Sequence, residues 1–285
     1  MEIALLKRGI FRYPGGKSRV VYKIISRMPN FIREMREPFV GGGSVFFAMP
    51  LDAKRWINDI HPGLIAVYKA LRDSPEAFIK KCRDILPIQM GELEVSTKKN
   101  GKKYNQRLGA KFQELVDNKD TDPALSYFFI NRTVWAGRVN YSLPSRLYYS
   151  NPTGWNIVKT NALEEAARHI KNTKITCGDF EPLLTEPGEG VVIYCDPPYV
   201  VNTDMGKMDQ QYEYNFTLED HLRFVEAVKK CVHKVCISYD DCSEVREWFS
   251  GSQFRIYEVQ WKYSGSSMEK KKIGRELIII NYEGI

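Results

Sequence analysis

No two of the six cysteines in this 285-residue chain form a C-x-x-C pair. Cys82, Cys177, Cys195, Cys231, Cys236 and Cys242 stand apart, several of them inside apolar runs. That spacing speaks against a zinc site or a disulfide framework and for buried, reduced thiols. No stretch approaches the roughly 20 apolar residues of a membrane span. The opening residues, Met1-Glu2-Ile3-Ala4-Leu5-Leu6-Lys7-Arg8, lack the charged-then-apolar order and the small-residue cleavage site of a secretory signal. The expectation is a cytoplasmic protein with no membrane partner. There is no internal repeat, which excludes solenoids and propellers.

What is present is enough apolar sequence, 43%, to build a core, in one large domain or two modest ones. The formal net charge is +7, and its location matters more than its size. Residues 61–160 hold 16 Lys and Arg against 9 Asp and Glu, so the rest of the chain is balanced. A segregated basic block is the electrostatic footprint of a polyanion-binding surface.

The coarse pattern is α/β at both ends. Strands are predicted to end at Phe39-Val40, at Asp59, at Cys177 and at Cys195. Helices are predicted over Val20–Arg27, from Val45, over Leu163–Ile170, and from a Thr217 cap to Cys231. Phe254–Trp261 and Glu276–Tyr282 read as a closing antiparallel pair. Between the two ends, Leu64–Leu86 (with a break at Ser74-Pro75), Tyr104–Val116 and Pro123–Ile130 read as helices, and 137–158 as loops or a hairpin. The simplest architecture is an α/β sheet domain made of 1–60 and 161–285, interrupted by a mainly helical basic insert, 61–160.

Chemistry gathers at the predicted strand ends. In an open α/β sheet, ligands bind outside the carboxyl ends of the strands. There the chain carries Glu37-Pro38-Phe39-Val40-Gly41-Gly42-Gly43-Ser44, whose glycines let the backbone approach a ligand. Asp59 ends the next strand, near the spacing at which an acid takes ribose hydroxyls. Gly178-Asp179-Phe180 places an acid and an aromatic ring after a third strand. Asp196-Pro197-Pro198-Tyr199 ends a fourth, fixing a carboxylate, a carbonyl and a ring together. The Gly turn does not complete G-x-G-x-x-G, because Phe46 stands where the third glycine would be. A cofactor with adenosine and no pyrophosphate therefore fits better than a dinucleotide, and an NAD-dependent oxidoreductase is disfavoured.

Together with Arg12-Tyr13-Pro14-Gly15-Gly16-Lys17, Asn58-Asp59-Ile60 and Asn131-Arg132, these motifs appear in one familiar order. The chain resembles the Dam-type (D12 class, alpha-group) DNA adenine-N6 methyltransferases. Weaker likeness reaches Arg246-Glu247-Trp248 and Glu276-Leu277, so nearly the whole chain is covered.

The resemblance implies a Rossmann-like sheet, S-adenosylmethionine as methyl donor with S-adenosylhomocysteine as product, and double-stranded DNA as substrate, with no metal called for. By it, Tyr13 and Lys17 line the methyl-donor pocket, Tyr13 standing where the family more often has Trp. Phe39, Gly41 and Gly43 surround the methionine end, Asp59 holds the ribose, and Asp179 and Phe180 flank the cofactor's adenine. Asp196, Pro197 and Tyr199 are the catalytic set, Asp196 facing both cofactor and target base. The target N6 is a poor nucleophile because its lone pair is delocalised. Acceptors at Asp196 and the Pro197 carbonyl favour a pyramidal nitrogen aimed at the methyl group, the mirror image of an oxyanion hole. A duplex hides N6, so the base must be flipped out.

The insert is then the target-recognition region. Lys98, Lys99, Lys102 and Lys103 are candidates for phosphate contacts, which position without specifying. Arg12, Asn131, Arg132, Trp135, Arg138 and Asn140 are candidates for reading DNA, Arg138 toward guanine and Asn140 toward adenine. The Leu-x-Arg with which Dam helps read G-A-T-C appears here as Arg138-Val139-Asn140, which points to a different short site. The alternatives are an N4-cytosine DNA methyltransferase, whose amine needs the same acceptors, and a non-catalytic DNA-binding protein on this scaffold. A cognate restriction endonuclease is a possible companion, in a bacterial or phage-infected cell.

Overall fold

The structure, a computed structural model, describes residues 9–13, 15–49, 52–86, 106–142, 147–150, 152–200, 214, 216–262 and 273–283. Lys98, Lys99, Lys102 and Lys103 lie outside the described residues. Among those described, a helix α1 (Val21–Ile25) precedes strands β1 (Glu34–Glu37) and β2 (Lys54–Asp59). Helices α2 (Pro62–Asp73), α3 (Pro75–Asp84), α4 (Gln106–Asp117) and α5 (Pro123–Thr133) follow, then a 3-10 run at Pro152–Lys159 and α6 (Ala162–Ile170). The chain returns through β3 (Thr173–Cys177), α7 (Glu181–Thr185), β4 (Val191–Cys195), α8 (Leu218–Lys230), β5 (Lys234–Asp240) and α9 (Ser243–Trp248). It closes with β6 (Arg255–Lys262) and β7 (Ile273–Ile280).

The strands form one seven-stranded sheet in the order β3-β2-β1-β4-β5-β7-β6. The pairs from β3 across to β5 are parallel, and β7 is antiparallel to both β5 and β6. This is a Rossmann-like, doubly wound sheet with an antiparallel strand inserted beside its edge. The expected closing pair is present, with β7 between β6 and β5. Strand order reverses between β1 and β4, the switch point where such sheets open a crevice. Because β1, β2, β3 and β4 run parallel, Glu37, Asp59, Cys177 and Cys195 all end at one edge.

Residues alternate between the sheet's two faces as a strand requires. Val191, Ile193 and Cys195 join one core with Val235, Ile237, Leu277 and Ile279. Val192 and Tyr194 join another with Met35, Cys236, Ile278 and Ile280. All five residues of β4 are buried, as expected for a strand covered on both faces. Each such aliphatic side chain contributes about 1.5–3 kcal/mol relative to exposure.

A third core runs without a break from Ile10, Phe47 and Ile57 through α2 to Phe112, Phe128 and Trp155. α2 packs on β2, β3 and α6 on one side and on α5 on the other. The insert's helices therefore stand directly on the sheet domain. Ser74 is both the end of α2 and the cap position of α3, where Pro75 restarts the helix. Thr217 forms a full capping box with Asp220 at the head of α8.

One predicted helix is absent. From Val45 the chain makes only a 3-10 turn, Phe46–Ala48, and Met49 is already extended at φ −81°, ψ 151°. Pro50 excludes the helical region for the residue before it, which stops propagation. No described helix is long and apolar enough to cross a membrane.

Candidate active site

A cavity of about 730 Å³ opens at the carboxyl edge, across the β1/β4 switch point. That volume suits a cofactor-sized ligand. Its wall includes every predicted cofactor residue: Tyr13, Lys17, Phe39, Gly41, Gly43, Asp59, Asp179, Phe180 and Asp196. Pro197, Tyr199 and Arg138 line it too.

The glycine loop is held in place by neighbours far along the chain. Gly41 and Gly43 have φ of +46° and +68°, the left-handed region that glycine alone enters freely. Asp59 accepts the Gly41 N–H at 2.9 Å and the His61 N–H at 3.0 Å. Tyr68 Oη donates to the Gly41 carbonyl at 2.9 Å. A Cβ on Gly41 or Gly42 would sit 2.9 Å from the Tyr13 side chain. Tyr13 thus floors the loop where only glycine leaves room.

Asn58, one residue before the predicted acid, ties two loops together. Its Nδ2 donates to the carbonyls of Pro38 at 3.1 Å and Gly178 at 2.8 Å. The loops after β1 and β3 are thereby clamped on either side of β2. Asp179 is not free. Arg223 holds it through both guanidinium Nη atoms, at 2.6 and 3.0 Å, which lowers its carboxyl below the usual range. Phe180 is buried among Phe39, Phe216 and Phe224, with ring centroids 5.3–5.9 Å away.

The Asp-Pro-Pro-Tyr segment meets the Gly-Gly-Lys turn. Lys17 Nζ lies 2.8 Å from Asp196 Oδ1 and 3.6 Å from Glu276 Oε1. It also donates to the Gly15 carbonyl at 2.8 Å and sits 4.9 Å from the centre of the Tyr199 ring. Burial alone would lower the Lys17 pKa, but Asp196 and Glu276 outweigh it, and the ammonium is stabilised. Asp196 keeps 22% of its side chain exposed, on the cavity it lines. Burial raises its carboxyl, and Lys17 opposes the rise.

Glu37 is the less visible member of the group. It is 2% exposed, its Oε1 has no hydrogen-bond partner, and burial with the nearby Asp196 charge drives its pKa well up. Asp196 and Glu276 thus share one buried ammonium, and the Glu37 carboxyl lies near Asp196.

The predicted DNA-reading residues divide. Asn131 is corrected: it is fully buried and binds no surface. Its Oδ1 accepts the Arg12 N–H at 3.0 Å, and its Nδ2 donates to the carbonyls of Arg12 at 2.8 Å and Gly137 at 3.0 Å. Arg132 is turned inward onto the carbonyls of Gly154 and Ile10 at 3.0 and 3.2 Å. Asn140 is 8% exposed, and its Oδ1 accepts the Ser142 N–H at 3.0 Å. These three hold the chain around residues 131–142 from within.

Trp135 faces outward, and Arg138 lines the cavity. Trp135 is 51% exposed, and the Arg138 guanidinium lies 4.8 Å from its ring centre. The kink between them puts Ala136 at φ +54° and Gly137 at +74°. A Cβ on Gly137 would fall 1.9 Å from the Arg12 carbonyl oxygen. Arg12 thus underlies the kink and joins the recognition segment to the Gly-Gly-Lys turn.

Sequence reasoning did not assign site roles to Asn58, Glu37, Tyr68, Arg223 and Glu276. Glu37 and Asn58 stood inside the strand-end motifs, and Glu276 had a local signal as the single acid at the head of the apolar run Leu277-Ile278-Ile279-Ile280.

Comparison with known proteins agrees with this geometry. The family model described as D12 class N6 adenine-specific DNA methyltransferase matches residues 13–265. A type II methyltransferase, M1.LlaDCHI of Lactococcus lactis subsp. cremoris, is 26% identical over 96% of this chain and 95% of its own length. The DNA adenine methylase of Escherichia coli K12 is 26% identical, over 98% of this chain and 96% of its own length. That of Vibrio cholerae O395 is 25% identical, with 96% coverage of both.

Proposed function

The chain belongs to the D12 class of N6 adenine-specific DNA methyltransferases, and from that membership we propose that its cavity holds S-adenosylmethionine beside an adenine flipped out of a short duplex site. Residues 1–60 and 161–285 carry the chemistry, and residues 61–160 read the DNA. The N4-cytosine alternative gives way to the family's adenine specificity.

The cavity suits the donor on two counts. Its volume is cofactor-sized, and the Asp196 and Asp59 carboxyls line it. S-adenosylmethionine, when bound, supplies a methyl group on a sulfonium. Glu37 lines the same cavity, buried near Asp196. Asp59 offers its remaining lone pairs to the ribose hydroxyls, and Asp179 and Phe180 bound the adenine end.

The single observation that carries the reading is Asp196. It stands at the switch point, open only to the cavity, and is followed by two prolines. Asp196 accepts one N6–H of the target adenine and the Pro197 carbonyl accepts the other. These bonds draw the nitrogen's lone pair out of the ring and aim it at the methyl carbon. With the donor bound, one N6 proton would pass to the Asp196 carboxylate as the N–C bond formed and the methyl group's bond to sulfur broke, leaving S-adenosylhomocysteine. Tyr199 gives its ring face to the base. Flipping costs roughly a few kcal/mol, which contacts from Arg12, Trp135 and Arg138 help offset. The departure at Arg138-Val139-Asn140 supports a site other than G-A-T-C. The Lactococcus relative's type II name supports a cognate restriction endonuclease as companion.

The test is to express the chain in a methylation-free host and digest its DNA to nucleosides. The wild type yields N6-methyladenine at one sequence, and Asp196→Ala yields none while still binding DNA. N4-methylcytosine, or near-normal turnover by Asp196→Ala, would overturn the assignment.

A further inference from the structure

We infer that Glu276 is a positioning residue for methyl transfer, holding Tyr199 by its hydroxyl and Lys17 by its ammonium so that Asp196 keeps an oxygen for the target amine. The inference rests on the N6-methylation reading above and adds a residue from the far end of the chain to it.

The geometry is specific. Tyr199 Oη donates to Glu276 Oε1. Lys17 Nζ lies 3.6 Å from the same oxygen, while its own bonds reach Asp196 and Gly15. One carboxylate oxygen thus meets both the ring expected to stack on the base and the cation that grips the catalytic acid. Glu276 is 4% exposed. It lies in the middle of β7, opposite Asp240 on β5 and Val259 on β6. Asp240 in turn accepts the Val200 N–H at 3.2 Å, fastening the residue that follows Tyr199. A buried acid beside an apolar run is costly unless it is paired. Here its partners are two residues of the clamp.

The consequence concerns charge. Lys17 is the cation that both Asp196 and Glu276 contact. With Glu276 ionised, that ammonium is divided between the two, and Asp196 remains a strong acceptor for N6–H. With Glu276 protonated, Lys17 turns wholly to Asp196 and weakens it as an acceptor. Burial holds the Glu276 carboxyl up, with Asp196 adding to the rise and Lys17 and Tyr199 opposing it, to about 7. The exchange therefore falls in the working range of pH. The titratable groups facing Glu276 are Lys17, Asp196, Tyr199 and Asp240, and Asp196 in turn raises the Glu37 carboxyl on β1.

The experiment measures kcat/KM against pH for the wild type, Glu276→Gln, Tyr199→Phe and the double variant, with S-adenosylmethionine affinity by titration. The wild type loses activity as pH falls through about 7. Glu276→Gln loses that limb and has a kcat lower by on the order of 100-fold, the cost of a displaced reacting geometry, a larger loss than any in donor affinity. The two substitutions are non-additive, because Glu276 acts partly through Tyr199. A Glu276→Gln enzyme with the wild-type limb and turnover overturns the inference. So does one whose only defect is a lower melting temperature, or full additivity with Tyr199→Phe. Absence of N6-methyladenine from the wild-type reaction would instead refute the proposed function itself.

Discussion

Replacing Asn131 by Ala should unfold the protein more readily without removing any DNA contact. Three hydrogen bonds disappear, to the Arg12 N–H, the Arg12 carbonyl and the Gly137 carbonyl. Each is worth about 1 kcal/mol net, and more where the abandoned group stays buried. The expected loss is therefore about 3–5 kcal/mol. At about 2–4 °C per kcal/mol for a domain of this size, the melting temperature falls by roughly 6–20 °C. The kink at Ala136-Gly137 loses its clip, so Arg12 and Arg138 lose their relative placement. Affinity for the cognate site should fall while the slope of affinity against salt stays the same, because no phosphate contact is lost. Thermal unfolding and DNA titration at several salt concentrations measure both quantities. A variant that melts with the wild type but loses about one unit of salt slope would show that Asn131 meets a phosphate directly, and the buried-clip account would fall.

Arg138→Ala should relax specificity at one base position, by about 1–3 kcal/mol in a selection of target sites. Lys102→Ala should weaken all sequences alike and reduce the salt slope by about one; the opposite pattern would refute that division of labour. His221 gives a pH test of stability. It is fully buried against Phe216, Tyr239 and Trp248, and burial lowers its pKa to about 4. The unfolded chain binds the proton first, so neutral His221 costs nothing above about pH 6.5. Stability then declines toward pH 4 by up to about 1.4 kcal/mol per unit. In His221→Phe that contribution is absent, and chemical denaturation of the pair at several pH values should show the gap change only below about pH 6.5. A gap that stays constant down to pH 4 would mean that His221 is not held neutral.

Much of the fold was legible because periodicity reports which faces are apolar. The run Val191–Cys195 emerges as β4 with its predicted bounds, and Thr217 caps α8 through a local hydrogen-bond pattern. The strand-end motifs were legible for a related reason. In a parallel sheet, every carboxyl end faces the same edge, so acids following apolar runs must converge. The missing helix after Val45 shows the limit of such reading, since Pro50 overrides an apolar pattern. Asn131 shows another: nothing local distinguishes an Asn that reaches a base from one buried against a backbone 119 positions away in the sequence.

By itself, then, the sequence determined the α/β alternation, the acids at the strand ends and the basic block between them, because these depend on neighbours within a few residues. Only the tertiary structure decided that β7 slips between β5 and β6. That placement brings Glu276 to the same edge as Lys17 and Asp196. It also decided that Asp179 is held by Arg223 and that Asn131 faces inward. These are pairings of polar groups between distant segments, and a buried polar group takes whichever partner the packed backbone presents.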